Sequence, residues 1–259
     1  MIKFKTYFFL IVFGLIRDSN TIFTHLLSGA IMTKQIKENL IVALDLPTTM
    51  QAEELVNRLG DSVTFYKIGL ALMPIGGIEL ARRLKQAGKK IFLDLKLFDI
   101  SYTIENTIKN LNQFDIDFLT VHGDPHVVRA ACEINNKPCM KILAVTLLTS
   151  LDRRDLNEAL IKDGTVEDLV VQRARNALIA GADGVIASPN ESKRIRSLTE
   201  CTGRLIVTPG VRLAHNKKND QKRVSDPTNA FKNGSDFIVV GRPILNSENP
   251  LEEVKRFQL

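Results

Sequence analysis

Cysteine is scarce in this sequence: Cys132, Cys139 and Cys201 are three in 259 residues. The count is odd, and no C-x-x-C pair or zinc-type spacing links them. That pattern points to reduced thiols of a cytosolic protein rather than a disulfide framework or a zinc module. His25, His126 and His215 likewise have no partners at metal-ligand spacing. Long apolar runs are missing too: Tyr7 to Ile16 is far short of the roughly 20 residues a membrane-spanning helix needs. No G-x-x-x-x-G-K-[ST] or G-x-G-x-x-G motif occurs, which leaves nucleoside triphosphates and dinucleotides without support. The net charge is +6, but the basic residues do not run together as in a nucleic-acid-binding arm. An anionic small ligand suits that charge as well as a polyanion would. No internal repeat or low-complexity segment stands out.

What is present reads as a soluble globular protein, with 44% hydrophobic and 25% charged residues. The length fits two small domains or one barrel of roughly 250 residues. Residues 1–31 differ from the rest. Lys3 and Lys5 precede the apolar run, which stops at Arg17-Asp18. One reading is a signal-peptide core with a poor cleavage site at Ser28-Gly29-Ala30. The preferred reading is upstream sequence from a misplaced start, with Met32 as the natural first residue. Residues 1–31 are then an extra segment and 32–259 the domain. Removing Lys3, Lys5, Arg17 and Asp18 with that segment lowers the charge from +6 to +4.

From Asn39 onward, short runs rich in Val, Ile and Leu alternate with amphipathic stretches. Strands are expected at Leu40–Leu46, Thr64–Gly69, Lys90–Leu95, Phe118–His122, Ile142–Leu148, Gly184–Ser188, Leu205–Thr208 and Phe237–Gly241. Continuous apolar runs of this kind suit strands buried on both faces. Thr48-x-x-Gln51 opens the first helix as a capping box. Ala71–Gln86 has helical spacing and stops at Gly88. Val166–Ala180 puts Leu169, Val170, Ala174, Ala177 and Leu178 on one face and ends at Gly181. Eight strand–helix units without a break in composition imply a single (β/α)8 TIM barrel of the α/β class. An open doubly wound sheet is the alternative, though it would usually use fewer strands.

Such barrels carry their active site at the C-terminal ends of the strands. Those ends read Asp45, Lys67, Asp94 with Lys96, His122, Thr149, Ser188, Arg212 and Arg242. Two features exceed the ordinary polarity of strand ends. In Phe92-Leu93-Asp94-Leu95-Lys96-Leu97-Phe98-Asp99, strand alternation points Asp94 and Lys96 the same way. With Lys67 on the neighbouring strand and Asp99 at the loop, two carboxylates and two ammonium groups are expected to converge. Neighbouring charges about 4 Å apart interact by about 4 kcal/mol at an effective dielectric near 20. A fixed ammonium so held is a ready proton donor to a carbanion; a structural ion-pair network is the other reading. The second feature is Thr208-Pro209-Gly210-Val211-Arg212 with Val239-Val240-Gly241-Arg242-Pro243, where barrels often bind phosphate. Gly241 lets backbone approach a ligand, and Arg242 can fork onto a phosphate. A polar loop, Leu213–Arg223, lies between the two. His122 reads as a hydrogen-bonded structural group rather than a general base.

In this order and spacing, Ala43-Leu44-Asp45, Tyr66-Lys67-Ile68-Gly69, Asp94-Leu95-Lys96-Leu97-Phe98-Asp99-Ile100, Thr120-Val121-His122, Leu148-Thr149-Ser150, Thr208-Pro209-Gly210-Val211-Arg212, Asp220-Gln221 and Val240-Gly241-Arg242-Pro243 resemble the bacterial orotidine 5′-phosphate decarboxylase family. The resemblance spans about Leu40 to Leu245. It implies cofactor-free, metal-free decarboxylation of orotidine 5′-monophosphate to UMP by a cytoplasmic homodimer, with no nucleic acid or membrane partner. It makes Lys96 the proton donor to C6 and sets Asp94 beside the departing carboxylate. Lys67 and Asp99 complete the charge network, Asp99 coming from the other subunit. Asp45 and Thr103 would bind ribose, Thr103 also across the dimer. Thr149 would meet the pyrimidine, and Arg212, Gln221, Gly241 and Arg242 the phosphate. Where the family usually has Pro or Gly and then Asn before Thr103, this chain has Ser101 and Tyr102.

The rivals are distinguishable in the sequence. Magnesium-dependent sugar-phosphate decarboxylases share the Asp-x-Lys-x-x-Asp run but carry an acidic residue where Lys67 stands, and a lysine would repel the metal. A non-catalytic phosphate-binding barrel would gain little stability from burying ions at its mouth. A protein tethered to a membrane by residues 7–16 is the third alternative.

Overall fold

The computed structural model describes residues 39–136, 140–214 and 225–258. The segment 1–31, Met32, Cys139, His215, Asp220 and Gln221 lie outside the described residues.

Eight parallel strands pair in sequence order and close, the last against the first. They are β1 (Leu40–Ala43), β2 (Phe65–Gly69), β3 (Lys90–Leu97), β4 (Phe118–His122), β5 (Lys141–Val145), β6 (Gly184–Ile186), β7 (Leu205–Pro209) and β8 (Phe237–Val240). Helices alternate with them and cover the outside, the expected (β/α)8 barrel. The continuous apolar runs follow from this double burial. Residues such as Val42, Tyr66, Leu93 and Val240 face the helices, while Ile41, Phe65, Phe92 and Val239 fill the interior.

Local chemistry accounts for most element boundaries. Thr48 Oγ1 accepts the Gln51 amide at 3.2 Å and starts the helix Thr49–Leu59. Thr165 caps Val166–Ile179 through the Asp168 amide, and that helix buries the five residues expected of it. Gly181 follows with a left-handed backbone. The stretch expected to be one helix from Ala71 divides instead. Leu70–Ile75 is a 3₁₀ segment containing Pro74, Gly76 turns with φ +101°, and the α-helix is Gly77–Gln86. Pro74 and Gly76 account for the break. A short helix, Arg153–Glu158, follows β5, with Asp152 and Asp155 forming its capping box. Several strands end earlier than their apolar runs. β1 ends at Ala43 and β5 at Val145, and Leu44–Leu46 and Thr146–Leu148 run on toward the barrel mouth, the Leu44 and Thr146 amides still bonded to Lys67 O and Ile186 O.

The floor of the barrel, at the N-terminal ends of the strands, is aromatic. Phe118 lies against Phe65, Phe92 and Phe237, with ring centroids 4.9, 6.0 and 5.2 Å away. Among the described residues no helix is long and apolar enough to cross a membrane.

Candidate active site

The opposite end of the barrel opens into a cavity of about 450 Å³. Its base is built by β1, β2 and β3. Lys67 is 7% exposed, and its Nζ lies 2.8 Å from Asp45 Oδ1 and 3.4 Å from Asp94 Oδ2. Lys96 Nζ donates to Asp94 Oδ1 at 2.7 Å. The order Asp45, Lys67, Asp94, Lys96 therefore alternates in charge, and all four side chains line the cavity. Gly69 leaves room for it: a Cβ there would sit 3.1 Å from both Asp45 Oδ1 and Lys67 Nζ.

Each shift in acidity has an identifiable balance of causes. Burial works against the charged form of Lys67, but Asp45 and Asp94 outweigh it, so its pKa stands above the ordinary lysine value. Burial also works against ionised Asp94. Lys67 and Lys96, with hydrogen bonds from Lys96 and Thr120, outweigh it and hold the carboxyl below its ordinary range.

Asp94 and Lys96 do converge as expected, but not by regular alternation. β3 bulges between Leu93 and Leu97, and Lys96 has φ +48°. A non-glycine residue in that region carries strain, a feature that clusters at functional sites. Asp99 does not join the cluster of its own chain. It is exposed beyond the end of β3, and its Oδ1 accepts the Ile100 amide at 2.7 Å. Asp45 supplies the second carboxylate instead. Thr103 is exposed on the helix Ser101–Leu111, in a stretch whose Phe98, Ile100 and Tyr102 are exposed apolar side chains.

The remaining walls bring together Thr149, Arg212, Gly241 and Arg242. Thr149 and Ser150 line one side after β5. Across the cavity stand Pro209, Gly210, Arg212, Gly241 and Arg242, from the ends of β7 and β8. Gly210 adopts φ +81°, a left-handed turn that favours glycine. Arg212 is buried, donates from Nη1 to Val211 O at 2.8 Å, and still faces the cavity. Pro243 sits in the first turn of Arg242–Leu245. His122 and Ser188 do not line the cavity. His122 pairs with Asp124, which Arg173 also approaches at 3.5 Å, and Ser188 caps the helix Pro189–Arg196. Both are structural hydrogen-bonding groups.

Sequence reasoning gave no role to Thr120. Its Oγ1 donates to Asp94 Oδ1 at 2.9 Å and accepts the Lys96 amide at 3.0 Å. The available signal was a hydroxyl in an otherwise apolar buried strand, where a partner is obligatory.

The sequence model of the Orotidine 5′-phosphate decarboxylase / HUMPS family matches residues 38–257. A protein of Ruegeria pomeroyi named orotidine 5′-phosphate decarboxylase is 58% identical over 214 residues, covering 82% of this chain and 89% of the relative. A protein of the same name from Rhodopseudomonas palustris is 48% identical over 214 residues, covering 83% and 90%. The crystal structure of orotidine 5′-phosphate decarboxylase from Lactobacillus acidophilus superposes with a TM-score of 0.74 at 35% identity, covering 85% of this chain and 97% of that one.

Proposed function

Because the chain belongs to the Orotidine 5′-phosphate decarboxylase / HUMPS family, we propose that it is the carbon–carbon lyase that converts orotidine 5′-monophosphate to UMP without a cofactor. The observation that carries this reading is the alternating Asp45–Lys67–Asp94–Lys96 chain at the base of a cavity whose far wall holds Arg212, Gly241 and Arg242.

The chemistry follows from that placement. The bond between C6 and its carboxylate breaks, carbon dioxide leaves, and the electron pair stays on C6. No adjacent carbonyl delocalises that pair well, so stabilisation falls to a cation already in position. Lys96 Nζ fills this role and passes its proton to C6, leaving UMP and a neutral amine. Asp94 holds Lys96 by a 2.7 Å hydrogen bond and stands beside the departing carboxylate. Lys67 fixes Asp94 from the other side. Arg212 and Arg242, with backbone at Gly241, take the phosphate, and Gln221 is a further phosphate contact in this reading. Thr149 meets the pyrimidine, and Asp45 the ribose. Phosphate contacts far from C6 supply binding energy that holds the charged pyrimidine against Asp94.

The active form is a cytoplasmic homodimer in this reading. Asp99 and Thr103 are exposed among Phe98, Ile100 and Tyr102, so a partner covering that apolar stretch would carry both residues toward its own neighbour's site. Residues 32–259 form the catalytic domain. A magnesium-dependent reaction fits the site poorly, because Lys67 Nζ already occupies the space between Asp45 and Asp94.

The test is direct. Purified protein in EDTA should convert orotidine 5′-monophosphate to UMP, followed by ultraviolet absorbance. No absorbance change at any enzyme concentration would overturn the assignment.

A further inference from the structure

Between the paired residues Leu93–Leu119 and Leu97–Val121, β3 advances four positions while β4 advances two. Asp94, Leu95 and Lys96 therefore face Thr120 alone. In a regular ladder each amide finds a carbonyl on the next strand. Here the Lys96 amide donates instead to Thr120 Oγ1 at 3.0 Å. The same hydroxyl donates to Asp94 Oδ1 at 2.9 Å, and that oxygen also receives Lys96 Nζ at 2.7 Å. Backbone and side chain of Lys96 are thus tied into one ring through a single hydroxyl. Thr120 is fully buried, lies behind Asp94 and does not line the cavity. Its β-branched side chain has few rotamers open to it, which suits a fixed strut. The tie is needed because Lys96 stands at φ +48°, a backbone region that a side-chain-bearing residue does not hold unaided.

We propose that Thr120 is a positioning residue for the decarboxylation: its hydroxyl holds the Lys96 backbone in the left-handed bulge and locks the Asp94 carboxylate against Lys96 Nζ. The lysine is then aimed at the reacting carbon before substrate arrives, which is preorganisation rather than contact with substrate. This inference rests on Lys96 being the proton donor of the reading above.

Thr120→Val removes the hydroxyl while keeping size and branching; Thr120→Ser keeps the hydroxyl. The readouts are kcat and KM for orotidine 5′-monophosphate, UMP affinity by calorimetry, and melting temperature. T120V should lose about tenfold or more in kcat, with KM and UMP affinity within about threefold of wild type. T120S should recover kcat to within about threefold of wild type. A T120V enzyme with wild-type kcat overturns the proposal. So does an equal loss in T120V and T120S, since packing rather than the hydroxyl would then matter. Should T120V not fold, Thr120→Cys carries the same comparison, because a thiol is a weak donor and acceptor. T120C should fall about tenfold or more below T120S in kcat, and equality between them overturns the proposal. A wild-type protein inactive toward orotidine 5′-monophosphate would instead overturn the decarboxylase reading itself.

Discussion

Two layers of the barrel interior differ sharply although they lie two residues apart on the same strands. On β2 the pair is Phe65 and Lys67, on β3 Phe92 and Asp94, on β4 Phe118 and Thr120. Strand periodicity turns both members of each pair inward. The lower member joins an aromatic floor, and the upper joins the charged mouth. The floor is made of buried apolar side chains, so the ion pairs and hydrogen bonds above it act at a reduced effective dielectric. The same strands therefore carry apolar packing in one layer and a charge network in the next.

Lys96→Ala should separate the two layers most strongly. In the proposed reaction this removes the proton donor and its electrostatic contribution together, so kcat should fall about 10⁴-fold or more. UMP binding should stay measurable, and the melting temperature should change little because the aromatic floor is intact. Turnover comparable with wild type would remove Lys96 as the proton donor.

Phe118→Ala makes the opposite cut. Phe118 touches three other rings of the floor, and truncating a buried phenylalanine costs about 3–5 kcal/mol of stability. For a chain of this size that is a fall of about 6–20 °C in melting temperature. At a temperature where the variant is folded, kcat should remain within about tenfold of wild type, or 1.4 kcal/mol. A loss of about a hundredfold would show that floor and mouth behave as one coupled unit rather than two layers.

The two layers were also unequally legible in sequence. The floor and the barrel around it follow from double burial, which leaves continuous apolar runs that no surface strand would carry. Lys67, Asp94 and Lys96 were legible because each interrupts such a run near its end. The route by which Asp94 and Lys96 meet was not legible. A bulge with φ +48° at a lysine has no glycine or asparagine to mark it, since Thr120 and the fold impose it from outside β3. Asp45 as the second carboxylate was obscured for a similar reason. It stands 22 residues before Lys67 in a different strand–loop junction, while Asp99 is close to Asp94 in sequence but turned away by the start of the next helix. Within one subunit it is Asp45, not Asp99, that reaches Lys67.

The smallest expected effect concerns pH, and it tests whether the mouth is locked in charge as firmly as the floor is locked in packing. Asp94 has a lowered folded pKa, so its contribution to stability is present above its unfolded value of about 3.9 and is lost as pH falls through the lower folded value. Lys67 has a raised folded pKa, so its contribution is present below its unfolded value of about 10.4 and is lost as pH rises through the folded one. Neither group changes charge between about pH 5 and pH 9. The difference in melting temperature between wild type and Asp94→Asn should therefore stay constant across that window and change only as acid approaches the Asp94 carboxyl. Thermal melts at closely spaced pH values measure this. A difference that drifts across neutrality would mean that a member of the pair titrates there. The mouth would then be a layer whose charge depends on solvent conditions, unlike the floor beneath it.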